Sequence, residues 1–350
     1  MRTLLARDMK KGSTLLWAVK RHLLLMLSHI TLRKLFNSLV LLFEMQLKQT
    51  RLYSNPVFLR IEVSPLCNLR CPGCLLGQAG LTETSPDHRK EGMMSYESFK
   101  ENVKDFLPCL FKVNLYDEGE PLLNPEIHKM IKLLNDNNVI SCISSNFSMQ
   151  LSDERLKQIV ESGLEHLIVA IDGATQETYS RYRQGGDLNT VISNIKRIMA
   201  LKEKMKSRLR LELQFIDFEG NEAERKAVKK LADELGVWRF TTIRGTSRHG
   251  WIGARFKGSE TERRRRGCYE LWLSATINSK GELGTCDYGE DNGIPNIGLA
   301  KEYLAKGLRN HPDLIKLRNS FRNASVSLHE VCRHCSLYKK RSGNECVPIK

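Results

Sequence analysis

Between residues 57 and 242 the chain alternates short β-forming runs with longer stretches of helical period, six times over. The β-forming runs lie at 57–63, 112–116, 139–144, 166–171, 208–215 and 238–242. The stretches at 95–107, 124–136, 153–162, 176–183, 189–204 and 221–235 between them have the apolar spacing of helices that bury one face. Strand and helix in alternation imply a parallel sheet with helices outside it. Right-handed crossovers curl such a sheet into a barrel or partial barrel. The expected fold class is therefore α/β, a six-unit barrel-like core at 55–245.

Two segments flank that core. Residues 246–267 are rich in Gly, Ser and Arg and read as a linker, with Arg263 to Arg266 as a solvated run. Beyond them the chain is cysteine-rich, with a hairpin signal at Asn278-Ser279-Lys280-Gly281, so 246–350 is expected to form a small second domain. The 350 residues suffice for one large and one small domain. With 41% hydrophobic and 27% charged residues, a folded chain is expected rather than a disordered one.

Residues 1–54 form a basic, Leu-rich helical extension. Residues 1–55 hold ten Lys and Arg against Asp8 and Glu44, about half of the chain's net charge of +15. The uncharged runs at 23–32 and 35–43 are shorter than the roughly 18–20 apolar residues of a spanning helix. Two readings stand side by side for 14–50: peripheral contact with a membrane interface, or a helical hairpin packed on the core. No secretory signal precedes the cysteines, so a cytoplasmic protein is expected, with any membrane contact on the cytoplasmic face.

Ten cysteines are many for a chain whose thiols stay reduced, and seven fall in close groups. Cys109 and Cys142 stand apart and read as buried apolar residues. Cys67, Cys71 and Cys74 have C-x3-C-x2-C spacing directly after the first strand. Three thiolates on one tight loop grip three irons of a cubane cluster and leave the fourth open. A structural zinc site needs a fourth ligand nearby, and none is present. The loop stands at the carboxyl edge of the sheet, where active sites of such folds collect.

In this loop the sequence resembles the radical S-adenosylmethionine (SAM) superfamily, over about residues 55–245. The resemblance implies a partial (β/α)6 TIM-like barrel, a 4Fe-4S cluster on Cys67, Cys71 and Cys74, and SAM bound at the open iron. It also implies an external one-electron donor of flavodoxin or ferredoxin type. Gly73 stands where the family often has an aromatic residue near adenine. Glu118-Gly119-Glu120-Pro121 resembles the family's GGEP motif, with Glu118 at its first Gly, and implies contact with the SAM amino group. Ser145 and Asn146 end the third strand, Asp172-Gly173 the fourth, and Gln214 lies on the fifth. The resemblance implies that these face SAM or substrate, and that Arg183 lies near the SAM carboxylate. A Gly-capped helix end is the other reading of Arg183.

Cys268, Cys286, Cys332 and Cys335 form two pairs whose spacing alone suits zinc or an iron–sulfur cluster equally. Cys268-x12-Gly281-x4-Cys286 resembles the opening of a SPASM domain. With only Cys346 to follow, the shortened Twitch form is the closer match, which implies one auxiliary 4Fe-4S cluster. Together these imply a radical enzyme of oxidoreductase type acting on a small polyol, sugar or lipid-linked substrate. Arg244, Arg248 and His249 are candidates for an assisting base. The alternative is a peptide- or protein-modifying SPASM maturase, which would usually carry a winged peptide-recognition domain or a two-cluster tail. Nucleic acid is not an expected partner, because the basic residues are not interleaved with stacking aromatics. A non-enzymatic iron–sulfur or zinc scaffold would cleave no SAM.

Overall fold

The computed structural model describes residues 28–74, 76–77, 92–218, 220–244, 268–286, 294–323, 325–330 and 332. The six expected strands are present as β1 (Phe58–Ile61), β2 (Lys112–Asn114), β3 (Ile140–Ser145), β4 (His166–Ala170), β5 (Arg210–Asp217) and β6 (Arg239–Arg244). They run parallel in sequence order. Helices follow in register: α2 (Tyr96–Val103), α3 (Ile127–Asp136), α4 (Asp153–Glu161), α5 (Gln176–Tyr182), α6 (Leu188–Lys204) and α7 (Arg225–Glu234). Ser95, Ser152, Thr175 and Asp187 begin four of these helices, each side chain accepting a main-chain N–H from the first turn. Outer-face residues such as Val113, Ile143, Leu167, Val169 and Leu213 are fully buried beneath the helices. β6 ends the strand order on one side, so the sheet is a partial barrel.

Two strands beyond the alternation join the same sheet. After helix α8 (Glu270–Leu273), β7 (Ser274–Ile277) pairs parallel with β1. β8 (Leu283–Gly284) folds back antiparallel on β7 through the turn at 278–281. There Gly281 has a φ of +82°, a left-handed conformation that favours glycine. Helix α9 (Pro312–Arg322) lies beyond them, and its buried Arg318 donates to the carbonyls of Leu271, Thr50 and Arg309.

The inner face of the sheet carries a buried polar chain. Cys142 Sγ lies 3.4 Å from His166 Nδ1, and His166 Nε2 lies 3.1 Å from Glu212. Thr241 donates to the other Glu212 oxygen at 2.6 Å. Cys142 is buried as expected, but it sits among polar neighbours rather than in an apolar pocket.

Helix α1 (Leu32–Gln46) crosses the amino ends of β1 to β4. Lys34 Nζ donates to Asn138 O at 2.6 Å just ahead of β3, and lies 5.5 Å from the Phe111 ring ahead of β2. Asn37 exchanges two hydrogen bonds with the Asn55 backbone ahead of β1. Glu44 accepts from Tyr53 N, Ser54 N and the Ser54 hydroxyl. His29, just before the helix, lies 2.6 Å from Glu165 ahead of β4. The helix therefore packs on the core, and it does so through a largely polar face. Burial lowers Lys34 from its ordinary value to about 8. Among the described residues no helix is long and apolar enough to cross a membrane. Residues 1–27 and the Arg263 to Arg266 run lie outside the described residues.

Candidate active site

The cysteine loop leaves β1 and crosses the carboxyl ends of the neighbouring strands. It presses on the segment after β2: Glu120 N donates to Leu66 O at 2.7 Å. A Cβ on Gly119 would lie 1.9 Å from Ser64 O, so only glycine permits this approach. On the other side Asn68 Nδ2 donates to Ser148 O at 2.7 Å, and Asn146 Nδ2 donates to Asn68 Oδ1 at 2.9 Å. Arg70 N donates to Gln184 O at 3.0 Å. The loop is thus tied to the segments that follow β2, β3 and α5.

Donors surround the sulfurs. Cys67 Sγ receives Leu69 N at 3.4 Å and Asn146 Nδ2 at 3.8 Å. Arg183 Nη1 lies 3.9 Å from Cys71 Sγ. Burial pushes the Cys67 thiol up to about 12, and Cys71 and Cys74 upward as well. A cation that binds these thiols must displace their protons. Among the described residues no three His, Cys, Asp or Glu side chains converge on a single ion. Three thiols spread along one loop suit a cluster that offers each a separate iron.

Asp172 and Arg183 form a buried pair beside Cys71. Arg183 Nε donates to Asp172 Oδ2 at 2.5 Å, and Ile216 N donates to Oδ1 at 2.7 Å. Burial pushes the Asp172 carboxyl up, and the guanidinium pulls it back. Burial opposes the Arg183 cation too, but Asp172 and then Cys71 outweigh it, so Arg183 stays charged. Arg183 follows the last residue of α5, so the helix end delivers a fixed cation to the cluster loop.

Glu120 follows the glycine that packs on the cysteine loop. Its carboxylate is buried and accepts from Leu122 N at 3.0 Å, Ser145 Oγ at 2.8 Å and Asn146 N at 2.8 Å. It ties the segment after β2 to the end of β3. Glu118 is half-buried, and its charge bears on Cys74. Gln214 lies half-buried on β5, in register with Ala170 and Thr241. Arg244 closes β6 in register with Asp217. Arg248 and His249 lie outside the described residues.

Two rings that sequence reasoning passed over complete the site. Tyr182 packs on Phe218 with centroids 4.1 Å apart, and both are buried with Leu69 and Cys71. A Cβ on Gly73 would lie 3.1 Å from Tyr182 Cε2. Tyr182 thus occupies the space that a side chain at position 73 would take.

Of the second cysteine set, Cys268 precedes α8 and Cys286 follows β8. The β7–β8 register, extended by two residues, puts Cys286 level with Ser274 at the open end of the hairpin. Both, with Cys332, are half-buried against the main core. Cys335 and Cys346 lie outside the described residues.

Residues 61–208 match the family model described as the radical SAM superfamily. The chain carries a radical SAM domain. It is 27% identical over 149 residues to a GTP 3',8-cyclase of Clostridium botulinum, covering 42% of this chain and 44% of that protein. A GTP 3',8-cyclase of Limosilactobacillus fermentum is 26% identical over 148 residues, covering 42% and 43%. The chain thus spans less than half the length of these relatives. Among solved structures, Streptococcus suis SuiB bound to S-adenosylmethionine superposes with a TM-score of 0.60 at 13% identity, over 81% of this chain and 71% of that one. Native anSMEcpe with bound AdoMet gives 0.53 at 16% identity, over 82% and 88%. At such identities the likeness is one of fold. The cofactors of radical SAM enzymes are a 4Fe-4S cluster and SAM, and Cys67, Cys71 and Cys74 fit the cluster by donor type, loop spacing and displaceable protons.

Proposed function

We propose that this radical SAM enzyme cleaves SAM reductively to a 5'-deoxyadenosyl radical and removes a hydrogen atom from a small polyol, sugar or lipid-linked substrate. The observation that carries the reading is the loop of Cys67, Cys71 and Cys74, with Cys71 buried, held at the carboxyl end of the sheet beside a fixed arginine. When bound, the cluster on these thiols supplies the electron that cleaves SAM, and an auxiliary cluster on Cys268, Cys286, Cys332 and Cys335 supplies an acceptor for the electron left on the substrate. Arg183, oriented through Nε by Asp172, offers a cation to the SAM carboxylate next to Cys71. Tyr182 and Phe218 give the site an apolar wall that excludes water. Asn68 and Asn146 hold the cysteine loop to the end of β3. Gln214 faces substrate or ribose from β5, and Arg244 at the end of β6 is the candidate for assisting proton removal. A flavodoxin- or ferredoxin-like protein delivers the electron.

The substrate named for the cyclases does not carry over, because the shared stretch is less than half of either chain. A peptide-modifying activity is the second reading, supported by the fold shared with SuiB, one structure of which holds a precursor peptide.

Anaerobically reconstituted protein is expected to hold about eight irons, two cubanes' worth, and to form 5'-deoxyadenosine from SAM after reduction. Cys71→Ala abolishes that product. Undiminished cleavage in this variant would sink the proposal. Screening polyols against peptides for deuterium transfer into 5'-deoxyadenosine separates the two substrate classes.

A further inference from the structure

Helix α1 is inverted. Its inward stripe is Lys34, Asn37, Leu41, Glu44 and Met45, with Lys34 1% and Glu44 3% exposed. Its outward face is Leu32, Leu35, Phe36, Leu39, Leu42 and Phe43, with Leu32 89%, Phe36 70% and Phe43 65% exposed. A helix free to choose would turn its apolar side to the core, since burying such side chains removes apolar surface from water. This one is held the other way round. Each of the three buried polar side chains has a specific main-chain partner on the body, so the orientation is fixed by satisfied hydrogen bonds.

We infer that the outward face of α1 is a docking surface for an anionic membrane. The charge around it fits that occupant. Residues 1–55 carry ten basic residues against two acids, and the only acid among the described part, Glu44, is turned inward. The outward face thus presents no carboxylate, while exposed Arg33 and Arg51 stand near its two ends. Long basic side chains at the rim of an apolar ridge reach headgroup phosphates as the ridge enters the interface. The shape fits as well. A single helix of fifteen residues is a convex ridge roughly 22 Å long. A lipid interface moulds itself to a ridge, whereas a protein partner must bring a matching groove. A second copy is disfavoured, because pairing two such faces brings two segments of like charge together. This inference does not rest on the radical chemistry, and the two are tested by separate readouts.

The test is flotation of the full reconstituted chain with vesicles of phosphatidylcholine containing roughly one-third phosphatidylglycerol, against pure phosphatidylcholine. The wild type is expected to float with the anionic vesicles and to stay behind with the neutral ones. Phe36→Ser/Phe43→Ser should lower the bound fraction at least about tenfold, while 5'-deoxyadenosine formation from SAM in the absence of vesicles stays at the wild-type level. Leu39→Glu, which puts a carboxylate on the ridge, should do the same. A wild type that ignores anionic vesicles overturns the inference. So do variants that float unchanged, which would assign binding to residues 1–27, and a wild-type dimer that these substitutions split, which would assign the face to a second copy.

Discussion

Gly73 has no side chain, and Tyr182 fills the space that one would take. The ring comes from the end of α5, in the same segment as Arg183, and rests on Phe218. Gly73→Phe is therefore expected to collide with Tyr182 and to lower the rate of SAM cleavage by about tenfold or more, equal to roughly 1.4 kcal/mol. Adding Tyr182→Ala should restore part of that loss by making room for the new ring. Timed assays of 5'-deoxyadenosine decide it, and a Gly73→Phe variant as fast as wild type counts against the exchange of rings. Sequence reasoning saw that the aromatic was missing from the loop and singled out Arg183, the residue after Tyr182. It could not pair Tyr182 with Gly73, because a contact between distant residues leaves no local pattern. Asn68 was passed over for the same reason: its partners Ser148 and Asn146 lie beyond another strand.

At the level of elements, one carboxylate ties two strand ends. Burial lifts Glu120 to about 7 from 4.5, against the pull of hydrogen bonds from Leu122, Asn146 and Ser145. The folded state thus keeps a proton on this group more readily than the unfolded chain does. Its contribution to stability is full below about 4.5 and is lost as the pH rises through about 7, an effect on the order of 3 kcal/mol. Glu120→Gln removes that component. It also turns an amide toward the Asn146 N–H, donor against donor, and lowers stability by about 1–3 kcal/mol where the wild-type group is protonated. Denaturant unfolding of the apoprotein at about pH 5 and about pH 8 checks both effects. A wild type with no steeper loss between the two than the variant contradicts this account. The strands themselves were legible, most clearly β4, whose apolar run Leu167 to Ala170 has the pattern of a covered parallel strand. The pairing of β7 with β1 was not, because four alternating residues after a long irregular stretch do not say which edge they will join.

For the molecule as a whole, the second cysteine set is a matter of iron. Cys332→Ala/Cys335→Ala is expected to remove about half of the reconstituted iron and to leave SAM cleavage uncoupled from substrate oxidation. Full iron in that variant would show that these thiols hold none. The placement of α1 bears on something else, the route by which substrate arrives. The helix crosses the amino ends of β1 to β4, whereas the cysteine loop stands at the rim, beyond the carboxyl ends of the strands. A strand of eight residues such as β5 is roughly 26 Å long. With its base against lipid, the enzyme would open its mouth to bulk water, about a strand's length away from the headgroups. Freely diffusing sugars and polyols reach such a mouth unhindered. A lipid-borne substrate would have to extend its polar head over the full height of the barrel, so moored enzyme and tethered substrate would face opposite ways.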